Sequence, residues 1–212
     1  MNHTPIPAPE LEAVAVEGLS RGAFLMRGAL ATGALLGGSA VSPFVRRALA
    51  QEGGGDVDVL NFALTLEYLE ATFYSRAIRK GRGLGADTVR LVREIHDNEA
   101  AHVDALRGTI KQLGGRPVEA PKVGFGDVFT NRSRFLGLAQ TLEDTGVSAY
   151  NGAAPQIRSS EVLAAAGSIV QVEARHAALI RLLNEETPAP SPFDAALAEK
   201  NVLEAVTPFL KS

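Results

Sequence analysis

Cysteine is missing from all 212 residues. That absence excludes disulfides, thiolate metal sites, an iron centre held by four cysteines, a catalytic thiol and a lipid-bearing N-terminal cysteine. It says little about compartment, because exported proteins can manage without disulfides. Tryptophan is missing too, and aromatic residues make up only 6% of the chain. Long alternating β-branched runs are also lacking, while Ala, Leu, Glu and Arg abound, so helix is favoured. No charge of one sign dominates. A formal net charge of −3 offers no footprint for nucleic acid or an anionic membrane. What is there is a hydrophobic content of 46%, ample for one packed domain with an appendage.

The first fifty residues read as an address. Residues 1–19 are unpatterned and contain proline. Then comes Ser20-Arg21-Gly22-Ala23-Phe24-Leu25-Met26-Arg27, followed by the weakly apolar run Gly28 to Val45. Arg46-Arg47 precede Ala48-Leu49-Ala50, a small-residue cleavage signature before Gln51. Order and spacing resemble a twin-arginine export signal, with Gly22 where the second arginine belongs and Met26 in place of a lysine. These departures bear on the route more than on export. The bland alternative is an uncleaved anchor, but Gly28–Val45 is rich in Gly and Ala and broken by Pro43. It barely spans ~30 Å of hydrocarbon and makes a poor lipid-facing helix. The expected organisation is an export signal at 1–50 cleaved after Ala50, a flexible junction at 51–55, a helical bundle at 56–187 and a tail at 188–212.

Four long helices are expected in that bundle. The first has Asp56 as N-cap and runs to Lys80, stopped by Gly81-Arg82-Gly83. The second starts near Asp87 and ends at Leu113, before Gly114-Gly115. The third begins between Asp127 and Asn131 and runs at least to Ala154, where Pro155 must kink or end it. The fourth begins at Ser159 or Ser160 and ends before Pro188. Short loops make each successive pair antiparallel. The connection Gly114 to Gly126, with Pro117 and Pro121, is long enough to cross the bundle from end to end. Fully extended it reaches ~43 Å, against ~40 Å for a helix of ~27 residues. A short amphipathic helix (Leu197, Val202, Leu203, Val206) is expected to pack outside the four.

Within this frame lie two Glu-x-x-His pairs, Glu99/His102 and Glu173/His176, each about thirty residues after a lone glutamate, Glu67 or Glu143. Tyr74 and Tyr150 each follow a lone glutamate by seven residues. The second set repeats the first at an offset of 76 for Glu and Tyr, and 74 for the Glu-x-x-His pairs. Steps of three and four place each glutamate on an apolar stripe: Leu60, Ala63, Leu64 and Ala71 around Glu67; Ile95, Val103 and Leu106 around Glu99; Leu136, Ala139 and Val147 around Glu143; Ile169, Val170, Ala177 and Ile180 around Glu173. Core packing therefore carries the acids inside, where an unpaired carboxylate costs several kcal/mol or takes up a proton. Arg76, Arg93, Arg107, Arg175 and Arg181 fall mostly off these stripes. Two divalent cations would neutralise four carboxylates directly, with one imidazole for each ion. Such Glu and Glu-x-x-His sets are what di-iron and di-manganese bundles use, and oxygen and imidazole donors suit iron or manganese.

Each element also has an ordinary reading. A single Glu-x-x-His on a helix is more often a solvated face than a ligand pair; two, both on apolar stripes and each matched to an upstream glutamate, are hard to obtain by accident. Glu70, on the same side one turn after Glu67, is read as an extra or substitute ligand or, with Tyr74 and Tyr150, as a residue that supports the ligands. His96 reads as a satisfied core or surface histidine. Tyr74 and Tyr150 either hydrogen-bond carboxylates across the core or serve as aromatic packing.

The segments LNFALTLEYLEATFY, EIHDNEAAHVDAL, LAQTLEDTGVSAYNGAAP and IVQVEARHAALI resemble the four core helices of the ferritin-like superfamily. They are most similar to exported bacterial ferritin-like proteins related to plant desiccation-associated proteins, and the tail FDAALAEKNVLEAVTPFL fits that group. The resemblance covers residues 56–212. It implies an all-α ferritin-like four-helix bundle with Glu67, Glu99, His102, Glu143, Glu173 and His176 as ligands of two metal ions.

The resemblance supplies no single activity, because its members store iron, destroy peroxide, hydroxylate substrates or have only a presumed role. The first expectation is redox chemistry on Fe(II), oxygen or peroxide, with no catalytic residue beyond the ligands. Ferrous oxidation and peroxide dismutation need no separate electron donor, which suits a chain without cysteine. The alternative is a non-catalytic metal-binding or structural protein of the envelope with a stress or desiccation role. Expected partners are the metal ions and oxygen or peroxide, with no nucleic acid and no membrane once the signal is removed. A homo-oligomer is left open, and nothing in the sequence supports a closed storage shell.

Overall fold

The computed structural model of the protein describes residues 55–81 and 83–211. The expected export signal, its cleavage after Ala50 and junction residues 51–54 lie outside the described residues. Among the described residues five α-helices follow one another: α1 Asp56–Lys80, α2 Ala86–Gln112, α3 Arg132–Ala153, α4 Ser160–Leu183 and the short α5 Glu199–Val206. The expected all-α bundle of two hairpins, a long crossover and a small C-terminal helix is the architecture found. Among the described residues the nearest thing to a sheet is one isolated antiparallel bridge, Val123 with Leu210.

Local chemistry sets the helix ends. Asn131 caps α3, its side chain accepting from the Arg134 N–H, and Ser159 caps α4 by accepting from the Val162 N–H. Pro155 ends α3 one residue sooner than expected, and the chain tightens into a 3₁₀ turn over Ala154–Gln156. Asp56 is not the N-cap of α1. Gly55 holds that position, and the Asp56 carboxylate instead accepts from the backbone N–H groups of Arg158 and Ser159 at 2.7 and 2.8 Å. An anion at the start of α4 suits the unpaired N–H groups and dipole there.

α2 and α4 end in the same way. Gly114 at φ 77° lets the Gly115 N–H reach the Ile110 carbonyl while its own N–H reaches that of Lys111. At the end of α4, Glu185 takes this left-handed role at φ 63°: Glu186 N–H donates to Arg181 and Glu185 N–H to Leu182. These are Schellman caps, in which the left-handed residue is usually glycine.

The crossover runs along α1. Asn61 holds its start, donating to the Arg116 carbonyl and accepting from the Val118 N–H. Arg76, four turns further up α1, donates to the Val123 carbonyl and lies over the Phe125 ring at 5.3 Å. Arg132 at the start of α3 then donates to Thr88 in the first turn of α2. With Asp56 tied to the α3–α4 turn, α3 therefore runs antiparallel to α1. The tail closes over this face. Its Lys211 N–H donates to the Lys122 carbonyl and the crossover's Gly124 N–H to the Phe209 carbonyl, and Val202, Leu203 and Val206 of α5 are buried, as expected of a helix packed outside the four.

The core has two apolar lobes. One, at the α1 C-terminal end, contains Phe73, Ile95, Phe135, Leu136 and Ile180; the other contains Leu60, Leu64, Val103, Leu106, Ile110 and Val162. Along α1, α2, α3 and α4 the buried glutamates fall between these two sets.

Candidate metal centre

The polar layer between the lobes is built from one or two residues of each long helix: Glu67 of α1, Glu99 and His102 of α2, Glu143 of α3, Glu173 and His176 of α4. All four glutamates are 0% exposed, and His102 and His176 are 8% and 2% exposed. Each acid is mid-helix on a stripe that is mainly apolar above and below it, so burying the stripe buries the acid.

Both histidines turn Nδ1 toward the carboxylates. His102 Nδ1 lies 2.9 Å from Glu173 Oε1, 3.2 Å from Glu99 Oε2 and 3.3 Å from Glu67 Oε2. His176 Nδ1 lies 2.8 Å from Glu99 Oε1, 3.4 Å from Glu143 Oε2 and 4.0 Å from Glu173 Oε2. Glu99 and Glu173 thus each direct one oxygen to each imidazole, whereas Glu67 serves only His102 and Glu143 only His176. Two overlapping donor sets result, Glu67/Glu99/His102/Glu173 and Glu99/Glu143/Glu173/His176, and within each the donor atoms lie within 4.8 Å of one another. The ring centroids are 6.3 Å apart.

The tyrosines cross between the halves. Tyr74, on α1, donates to Glu143 on α3, and Tyr150, on α3, donates to Glu67 on α1 at 2.5 Å. Antiparallel α1 and α3 account for the reciprocity, since a step of seven residues along one helix matches the opposite step along the other. Each tyrosine satisfies one carboxylate oxygen and leaves the other aimed at the cluster.

Many inward atoms are still unsatisfied. Glu67 Oε2, Glu99 Oε1, Glu143 Oε2, both Glu173 oxygens and His176 Nδ1 are buried with no aligned hydrogen bond. Two imidazoles can offer at most two inward N–H groups, too few for the converging oxygens. Arginine does not make up the shortfall: Arg107 donates to Tyr68, Arg181 pairs with Asp144, and Arg76 is held on the crossover. Oxygen-rich, cation-poor convergence of this kind fits metal-ion binding.

Without cations the layer competes for protons. Burial pushes Glu67 up to about 8 against the pull of the nearby His102 imidazole, and burial also raises Glu143 and Glu173. Glu99 goes the other way: burial opposes its ionisation, but the close imidazoles of His102 and His176 outweigh it and hold the acid down at about 2. Burial likewise opposes a charge on the histidines, yet the close carboxylates of Glu173, Glu67 and Glu99 take His102 up to about 12, and those of Glu143 and Glu99 take His176 to about 10.

Glu70 is buried beside the layer at 2% exposure. Burial raises its carboxyl strongly, followed by the charges of Glu173, Glu143, Glu99 and Glu67 in that order. It belongs to neither donor set. His96 is apart from the cluster, 3.0 Å from Asp97. One contact has no sequence signal: exposed Asn98 places its amide 3.1 Å from His176 Nε2. An amide can present N–H or C=O there, so it can serve either tautomer of that ring. Asn98 lies off the apolar stripe, and only the approach of α4 to α2 reveals its role.

The profile of one protein family, described as a ferritin-like domain, matches residues 55–186. No curated protein matches the chain.

Proposed function

The chain belongs to the ferritin-like domain family, and on that premise we propose that it holds a pair of divalent metal ions, iron or manganese, for redox chemistry on Fe(II), oxygen or peroxide. The observation that carries this reading is the convergence of four fully buried carboxylates and two inward Nδ1 atoms, most without aligned hydrogen bonds. Glu67 and His102 would serve one ion, Glu143 and His176 the other, with Glu99 and Glu173 shared. Four negative charges balance two divalent ions, so loading relieves the repulsion that burial imposes. When bound, such a pair can exchange electrons with oxygen species or Fe(II).

The chain's own residues do the rest. Tyr74 and Tyr150 orient the two unshared carboxylates. Phe73 and Phe135, stacked at 5.1 Å with Phe125 and Phe129 beside them, exclude water on the Tyr74 side. Lacking cysteine, the protein has no thiolate centre to relay electrons, which favours reactions whose substrate is itself the reductant.

We further propose that residues 1–50 direct export by a twin-arginine-like route and are removed after Ala50, placing the mature protein in the periplasm, envelope or medium. The basic segment before a weakly apolar run and an A-x-A site supports this. Among the described residues no helix is long and apolar enough to cross a membrane. Intact mass of the exported protein should start at Gln51; retention of residues 1–50 in the membrane fraction would refute cleavage.

The deciding experiment is metal analysis of purified protein, followed by Fe(II) oxidation and peroxide consumption. Two iron or manganese ions per chain with turnover supports the proposal. Two ions with no turnover would establish a non-catalytic metal-binding protein of the envelope instead, and no bound metal would remove the basis of both.

A further inference from the structure

The two halves of the centre repeat Glu and Tyr at one offset, but the buried Glu70 has no acidic counterpart in the second half. At the offset of 76 that relates Glu67 to Glu143 and Tyr74 to Tyr150, Glu70 corresponds to Gly146. These two unlike residues meet in the core. A Cβ at Gly146 would lie 3.0 Å from Glu70 Oε1 and 3.6 Å from Glu173 Oε2. The glycine therefore opens the space that the Glu70 carboxylate fills, and that space adjoins one particular oxygen of Glu173.

That oxygen identifies a side. Glu173 Oε1 faces His102 at 2.9 Å, whereas Oε2 faces His176. Glu70 starts from the same helix as Glu67, which serves the His102 position, yet its carboxylate arrives beside the His176 position. It is 2% exposed. Four glutamates already balance two divalent ions, so this fifth carboxyl adds a further oxygen donor beside one position alone.

We propose that Glu70 is a seventh ligand that serves the ion held by Glu143 and His176 and makes the two metal positions unequal, with Gly146 as the residue that admits it. The inference rests on the di-metal reading above. The His176 position then has five candidate ligand residues and the His102 position four, so the His176 position fills first. An asymmetric pair can also keep one ion while the other exchanges.

The test is Mn(II) titration of the metal-free full chain, followed by calorimetry and by the electron paramagnetic resonance signal of free Mn(II). The wild-type chain should take up two ions in two resolved steps. Glu70→Gln should weaken the tighter step by at least about tenfold, the lower end of what supporting groups contribute at metal sites, and leave the weaker step in place. Gly146→Ala keeps Glu70 but crowds its carboxylate at a site where alanine also favours helix, and it should weaken the same step. Thermal unfolding of both metal-free variants verifies that each still folds.

Two ions bound with both variants unchanged would overturn the role of Glu70 and leave the di-metal reading standing. Equal weakening of both steps would overturn the assignment to the His176 position. A wild-type chain that binds no Mn(II), Fe(II) or other divalent ion would overturn the di-metal reading and this inference together.

Discussion

Glu67 and Glu99 face the same cluster in different charge states, and a glutamine should tell them apart. Burial drives Glu67 toward its neutral form, raised to about 8, whereas the two imidazoles hold Glu99 ionised, at about 2. Glutamine resembles the protonated acid. In metal-free protein near neutral pH, Glu67→Gln should therefore change stability by less than ~1 kcal/mol. Glu99→Gln removes the anion shared by both histidines and should cost ~3–5 kcal/mol, the penalty for breaking a buried charge pair. Both variants should lose metal affinity. Urea unfolding of chelator-treated protein, alongside metal stoichiometry, separates the two effects; equal losses of stability would contradict the charge assignment.

At the scale of elements, two joints stand out. The α4 C-cap has the hydrogen bonds of a Schellman motif but with Glu185 at φ 63°, where a side chain is strained and glycine is not. Glu185→Gly should stabilise the protein by ~0.5–1 kcal/mol, visible as a higher urea midpoint at unchanged slope. The tail docks on α3 through the Leu197 N–H to Ser148 carbonyl bond, and its backbone passes so close that a Cβ at Gly152 would lie 1.8 Å from the Leu197 carbonyl oxygen. No rotamer relieves a clash with backbone. Gly152→Ala should destabilise by ~1–3 kcal/mol and speed proteolysis of the tail beyond α4. An unaffected tail would show that it docks by α5 alone.

For the whole molecule, stability should depend on pH and metal together. The contribution of Glu67, raised from 4.5 to about 8, is fully present below about 4.5 and is lost as pH rises through about 8. Glu70, Glu143 and Glu173 are raised in the same direction by burial. The histidine contributions, with His102 and His176 raised from 6.5 to about 12 and about 10, are full below about 6.5 and decline above it, lost as pH rises through those values. Glu99 has the opposite sign: its contribution is present above 4.5 and is lost as pH falls through about 2. Metal-free protein should thus weaken from about pH 5 to about pH 8. Metal displaces the protons, so the metal-dependent gain should grow over the same range. It should approach ~2.7 kcal/mol at a hundredfold excess over Kd. Urea unfolding with Mn(II) and with chelator, at both ends of that range, measures the gap; a gap constant with pH would mean that metal and protons do not share these groups.

Much of this organisation is legible in the residues themselves. Helix type, the four long helices, the crossover and the six converging side chains follow from periodicity, Gly and Pro punctuation and the repeated Glu-x-x-His spacing. All of these are local, set by which positions share one helix face. Which carboxylate is shared, which tyrosine reaches which acid, and where Glu70 ends up depend on how far one helix is shifted along another. That shift is decided by core packing and by long-range ties such as Asp56 to the start of α4. The same holds for Asp56 itself, an ordinary N-cap by its place in the sequence until α4 arrives to take its carboxylate. Spacing along a helix thus determined which residues turn inward. Only the tertiary structure decided which of them meet, because distances between helices are set by contacts that no single helix contains.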